Sequence, residues 1–152
     1  MIFMERALEF LKHHVEIAFA TCEGNRPHIR IFQIMKMEGT ILYFATSPVK
    51  GVFWQLHDNP FVEIMASEGK VFVKVEGKAD FNVDDETQRW IYDNNPVLPR
   101  LYTSYDKLAY FKVGIEKMDH YDLAPTPPMF KHYNLLNHTV ADGYVGERYS
   151  KR

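Results

Sequence analysis

The sequence predicts a mainly β protein, a small antiparallel barrel, closed or partly open, with helices at its periphery. Three observations lead there. Stretches rich in β-branched and aromatic residues recur along the chain. Glycine-bearing turns separate most of them, and such short connections make the strands antiparallel. One long alternating stretch is interrupted by Gly77, as a bulge or a bend at a barrel corner would be. A two-sheet sandwich is the alternative that the same pattern allows.

Met4, Ala7, Leu8 and Leu11 recur at helical spacing, so residues 3–13 should form an amphipathic helix. The period then changes. Residues 16–22 and 27–37 form a hairpin around Glu23-Gly24-Asn25-Arg26, and a turn at Glu38-Gly39 leads to a third strand over 40–45. Ser47 before Pro48 is a helix start, a side-chain cap followed by a pre-set φ. That helix should pass Gln55 and stop near residue 58, because Pro60 disfavours helical geometry at Asn59. Strands over 61–67 and 70–83 follow, joined by Glu68-Gly69. Asp84 caps a third helix to about residue 92, ended by the stretch from Asn94 to Pro99, and residues 108–118 read as a sixth strand. The remainder, with Pro125-Thr126-Pro127-Pro128, reads as a strand end and a surface-wrapping tail, so that 119–152 is a C-terminal extension of one domain covering 1–152.

A chain of 152 residues can bury one sizeable core without disulfides. Its net charge of −2 supplies none of the positive field that draws nucleic acid, and no apolar stretch is long enough to span a bilayer. The start, from Met1 to Arg6, lacks the pattern of a secretory signal, and the lone Cys22 suits a reducing compartment, so the cytoplasm is the expected location. Cys22 reads as a small apolar side chain in a strand. No C-x-x-C, H-E-x-x-H, Walker loop or G-x-G-x-x-G is present. His13 and His14 point in different directions on a helix and read as a solvated helix end, not a metal site.

The informative segment is Phe44-Ala45-Thr46-Ser47-Pro48-Val49-Lys50, where a strand ends in two hydroxyl residues and enters a helix. A helix start offers free backbone N–H groups and a partial positive charge, which make an anion site. Lys50 adds a full charge where the helix dipole disfavours one. A capping serine followed by a solvated lysine explains the same spacing. Arg30 shifts the balance, since it interrupts the apolar strand Ile29-Arg30-Ile31-Phe32-Gln33-Ile34 and a buried cation needs a partner. In a meander, that strand would lie beside the one ending at Ala45, letting Arg30 and Lys50 converge on one phosphate.

In these residues the sequence resembles the pyridoxamine 5′-phosphate oxidase-like FMN-binding split barrels, and among them the nitroimidazole-resistance branch. The resemblance runs over residues 5–118: the N-terminal helix, the hairpin, Pro27 to Phe32, Leu42 to Ser47 with Lys50 and Gln55-Leu56, Asn59 to Ile64, and Val75 to Ala79. It implies a six-stranded antiparallel split barrel and a homodimer holding FMN at its interface. Arg30 and Lys50 would bind the phosphate, with Thr46 and Ser47, beside Ala45, at the phosphate and ribityl chain. Ile31, Phe32 and Gln33 would run along the flavin ring, near the polar Gln55. Lys70, Val71 and Phe72 would face the flavin of the other chain. The chain departs from the oxidases proper: it lacks a second basic cluster, Val49 replaces an arginine, and its close from Gly146 to Arg152 lacks an Arg-Leu-x-Pro pattern. Pyridoxamine phosphate is therefore not the expected substrate.

Two functions follow. In the first, FMN carries electrons to a small molecule stacked near aromatic residues such as Phe72 and Tyr102, with no catalytic side chain required. In the second, the protein holds FMN, a deazaflavin or haem without turnover, with His120, His132 or His138 as candidate haem ligands.

Overall fold

A computed structural model describes residues 2–143. The N-terminal helix α1 (Ile2–His13) buries Ala7 and Leu11 against the sheet. There follow β1 (Glu16–Glu23), β2 (Arg26–Gln33), β3 (Lys36–Glu38), β4 (Ile41–Thr46), α2 (Gly51–Asp58), β5 (Phe61–Glu68), β6 (Val71–Asp80), α3 (Asp85–Asn94), α4 (Val97–Leu101), β7 (Ala109–Asp122), β8 (Met129–Asn134) and β9 (Thr139–Gly143).

The strands form one antiparallel sheet in the order β2-β1-β5-β6-β7-β4-β3, with β8 on β7 and β9 on β8. This is the expected mainly β split barrel. All six expected strands exist. The stretch over 27–37 divides into β2 and β3, which lie at opposite ends of the strand order although only Ile34 and Met35 separate them in sequence. Gly24 turns the first hairpin with φ +58°, and Gly69 turns another with φ +59°.

Gly77 marks the bulge that the sequence predicts: the β6–β7 register shifts between Glu76 and Gly77, and a Cβ there would stand 2.5 Å from Gly114 O. The bulge bends the long strand so that the sheet can curl around its core.

That core is aromatic at its centre. Phe19, Phe32, Phe44 and Phe111 meet with ring centroids 5.0–6.3 Å apart. A second cluster of Tyr43, Val83, Ile91, Leu98, Leu108 and Tyr110 seats α3 and α4 on the other side of β4. The buried Asn95 ties it together, donating from Nδ2 to Met35 O (2.9 Å) and Ile91 O (2.8 Å).

Three expectations change. Residues 119–143 are not a wrapping tail: β7 continues to Asp122, and β8 and β9 extend the sheet as a hairpin. The proline cluster is the loop between β7 and β8, where it interrupts no ladder. Helix α2 begins at Gly51 and not at Pro48, because Ser47 to Lys50 first make a tight turn in which Lys50 N donates to Ser47 O at 3.0 Å. His14 is not simply solvated, since its ring stacks on Phe10 at 4.0 Å and pairs with Glu68. The closing segment 146–152 lies outside the described residues.

Candidate functional site

Helix α2 packs across one mouth of the barrel, burying Val52 and Leu56, and side chains from β1, β2 and β4 point toward the same end. Alternation along β2 turns His28, Arg30 and Phe32 inward and leaves Ile29 and Ile31 outside. Arg30 Nη1 donates to Thr21 Oγ1 (2.9 Å) and Phe19 O (3.2 Å), and Nη2 donates to Gln55 Oε1 (3.0 Å). Thr21 Oγ1 also donates to Gln55 Oε1 at 2.7 Å. Every one of these acceptors is neutral. Burial pushes the guanidinium pKa down, with no carboxylate offsetting it.

The sequence expectation that β2 pairs with β4 is corrected. In the sheet β2 pairs with β1, whereas β4 pairs with β3 and β7, because the strand order places β2 and β3 at opposite ends. Side chains still bridge the seam, since Phe32 and Phe44 touch with centroids 6.3 Å apart. The ladders make β2 and β4 antiparallel. One step of two residues backward from Phe32 and forward from Phe44 therefore leads to Arg30 and Thr46 at the same mouth.

Thr46 is 3% exposed and its Oγ1 has no partner among the described residues. Ser47, also buried, accepts a long bond from Val49 N at 3.4 Å. Lys50 is exposed at the N-cap position of α2, where no side chain caps the helix. Gln55 Nε2 lies 3.8 Å from where a Cβ on Gly51 would be, so one side chain links Arg30 to the start of the helix. The uncompensated Arg30, the exposed Lys50, the buried Thr46 hydroxyl and the amides that open α2 are each groups that can hold an anion. Those residues fit the phosphate of FMN.

The remaining expected residues fall elsewhere. Ala45 faces the second cluster, and Phe32 is committed to the aromatic core, with Arg30 Cζ 6.0 Å from its centroid. Ile31 and Gln33 lie on the outer face of β2. Lys70 sits in the turn before β6, and Val71 and Phe72 begin that strand. Phe72 faces outward three strands from β2, about 14 Å across the sheet. Tyr102 lies against the second cluster, its carbonyl accepting from Tyr92 OH.

The three candidate haem histidines do not converge. His120 is buried on one face of β7, His132 bonds Asp119 on the other, and His138 turns the β8–β9 hairpin with φ 57°. Among the described residues no group of three or more His, Cys, Asp or Glu could hold a metal.

Sequence reasoning missed Thr21, which joins Arg30 to Gln55. Its signal was present in the alternation Ile17, Phe19, Thr21, which puts a polar residue on the core face of β1.

The fold with its α2 mouth is that of the pyridoxamine 5′-phosphate oxidase-like split barrels. Among solved structures, a NimC/NimA family protein from Clostridium acetobutylicum is 28% identical, with a TM-score of 0.63 over 78% of this chain and 82% of that one. A pyridoxamine 5′-phosphate oxidase-related, FMN-binding protein from Nostoc punctiforme has a TM-score of 0.65 at 13% identity and covers 94% of each chain. A heme binding protein from Mycobacterium smegmatis scores 0.66 at 13% identity, matching 84% of this chain and 56% of its own. The sequence matches no protein-family model and no curated protein. Among the described residues no helix is long and apolar enough to cross a membrane.

Proposed function

We propose that this protein binds FMN at the α2 mouth and serves, as a homodimer in the cytoplasm, to pass electrons from FMN to a small-molecule acceptor. One observation carries the reading: Arg30 is half-buried with only neutral partners, an arrangement that costs stability unless an anion completes it. The phosphate would lie among Arg30, Lys50, Thr46, Ser47 and the first amides of α2. The flavin supplies the redox chemistry, and the chain supplies binding and orientation.

Two features support the dimer. Phe72 faces the outside of the sheet and Arg30 the inside, so a flavin that touches both sets, as the family resemblance implies, draws them from two copies. The outer face of β2, β1 and β5 exposes Ile29, Ile31, Phe61 and Met65 around Ala18 and Ala20, with Glu63, paired to Lys74, as the charged residue among them. A face of this kind marks an association surface.

The test is the absorption spectrum of protein purified without added cofactor, with sedimentation of the same sample. Flavin bands near ~370 and ~450 nm on a dimer support the reading. A Soret band without flavin, or a monomer fully loaded with FMN, overturns it. Turnover of reduced nicotinamide with a quinone or nitroaromatic acceptor separates an enzyme from a carrier.

A further inference from the structure

The outward face of the sheet holds a polar cluster that the α2 mouth does not use. Asp119 on β7 is 6% exposed. Its Oδ1 pairs with Nδ1 of His132 across the β7–β8 ladder, and its Oδ2 accepts from Tyr121 OH at 3.2 Å. Lys74, the β6 residue opposite Asp119, is bonded to Glu63 at 2.9 Å, and Glu76 and Lys117 follow in the next row. From β9 only the uncharged Ala141 lies opposite His132. Asp119 thus fixes Nδ1, while the half-buried ring of His132 keeps Nε2 without a protein partner among the described residues. A carboxylate in this position holds imidazole in one tautomer and one orientation.

One row along the same face, Phe72, Tyr121 and Phe130 lie side by side on β6, β7 and β8, with centroids 6.5 and 4.8 Å apart. Phe72 belongs to the segment that faces the partner's flavin in the functional reading above, and this inference rests on that reading. We propose that His132, positioned by Asp119, delivers the proton that accompanies reduction of the acceptor, and that the aromatic row seats the acceptor's ring. For a quinone the balance closes with a reduced nicotinamide as electron source. Both electrons and one hydrogen reach the quinone from reduced FMN as hydride. The second hydrogen leaves His132 Nε2 as a proton and bonds the quinone oxygen, giving the hydroquinone, and water returns a proton to the imidazole.

The experiment is stopped-flow reoxidation of the FMN-loaded, photoreduced protein by menadione, in the wild type and in His132→Gln. The variant should bind FMN as the wild type does and reoxidise about a hundredfold more slowly at neutral pH, with part of the rate restored by added imidazole. The wild-type rate should vary with pH through a proton donor that the variant lacks, whereas that of the variant should stay flat. Asp119→Asn, which removes the group that orients the ring, should bind FMN as the wild type does and also slow reoxidation. Reoxidation of His132→Gln within about threefold of wild type, or with the wild-type pH profile, overturns the proposal and leaves the flavin reading standing. A wild type that binds no FMN overturns both. A measurement without any variant guards against misfolding: the ¹⁵N signals of His132 in the loaded wild type should shift on adding menadione, and no shift at saturation rejects the proposal.

Discussion

Replacing Arg30 by methionine keeps an unbranched apolar stem and removes the charge that the α2 mouth leaves uncompensated. The cost to the unliganded fold should be small. Thr21 and Gln55 retain their own 2.7 Å bond, so the substitution strands only minor acceptor capacity. Three lost bonds from a charged donor, at about 1.5–3 kcal/mol each, are opposed by relief from desolvating an unpaired guanidinium, so the net change in urea should be a small fraction of their sum. Binding should respond differently. A charge-assisted bond to phosphate contributes about 1.5–3 kcal/mol, so the Kd for FMN should rise roughly ten- to 150-fold. Riboflavin lacks the phosphate, and its Kd should hold. Flavin-fluorescence titrations with both ligands, paired with urea unfolding of the unliganded protein, measure each quantity. Equal losses for FMN and riboflavin, or no loss for either, would refute the phosphate site.

Gly77→Ala should destabilise the protein by about 1–3 kcal/mol in urea, since its Cβ would meet Gly114 O at 2.5 Å and Val113 Cγ1 at 2.7 Å, and the backbone oxygen cannot retreat without opening the β6–β7 ladder; a silent substitution would mean the bulge is plastic. His120 is buried with Nδ1 unpartnered among the described residues, and its pKa is lowered chiefly by burial, with Asp122 opposing and Arg6 adding to the effect. The unfolded chain therefore binds the proton first as pH falls through the ordinary histidine value near 6.5, so this group's contribution shrinks below that pH and is complete above it. His14 acts in the opposite sense, its pKa raised mainly by the backbone bond to Phe10, so the quantity to measure is the difference between wild type and His120→Leu, whose stability should fall less on acidification. An identical pH slope for both proteins would contradict this. Ile31→Glu, at a site 68% exposed, should leave the monomer fold intact and shift sedimentation toward monomer; an unchanged dimer would place the interface elsewhere.

Features set by neighbouring residues were legible in the sequence, and features set by distant pairing were not. The turns at Gly24 and Gly39, the amphipathic stripe of α1, the Asp84 cap, whose side chain accepts from Thr87 N, and the kink at Gly77 all depend on local geometry. The neighbours of β4 do not. Nothing near Ile41–Thr46 specifies that it pairs with Ala109–Asp122 and not with β2, so the expected ladder that would bring Arg30 toward Lys50 is absent, and β2 and β4 meet instead through the Phe32–Phe44 contact across the seam. The hairpin of β8 and β9 was hidden because its turn uses His138 at positive φ, where no glycine advertises the reversal. The Asp119–His132 pair was invisible for another reason. Its members acquire meaning only once the two strands are in register.

The pairing of β4 with β7 also bears on how the protein can be made. Ile41 finds its partner at Gly114, and every other β4 residue waits for one between Ala109 and Val113. On the ribosome, one edge of β4 must therefore remain bare until most of the described chain has emerged, with apolar Leu42 and Phe44 beside it. An open apolar edge invites pairing with other chains. Nascent chains stalled before residue 109 should thus depend on chaperone cover and aggregate without it, whereas chains released after β7 should not.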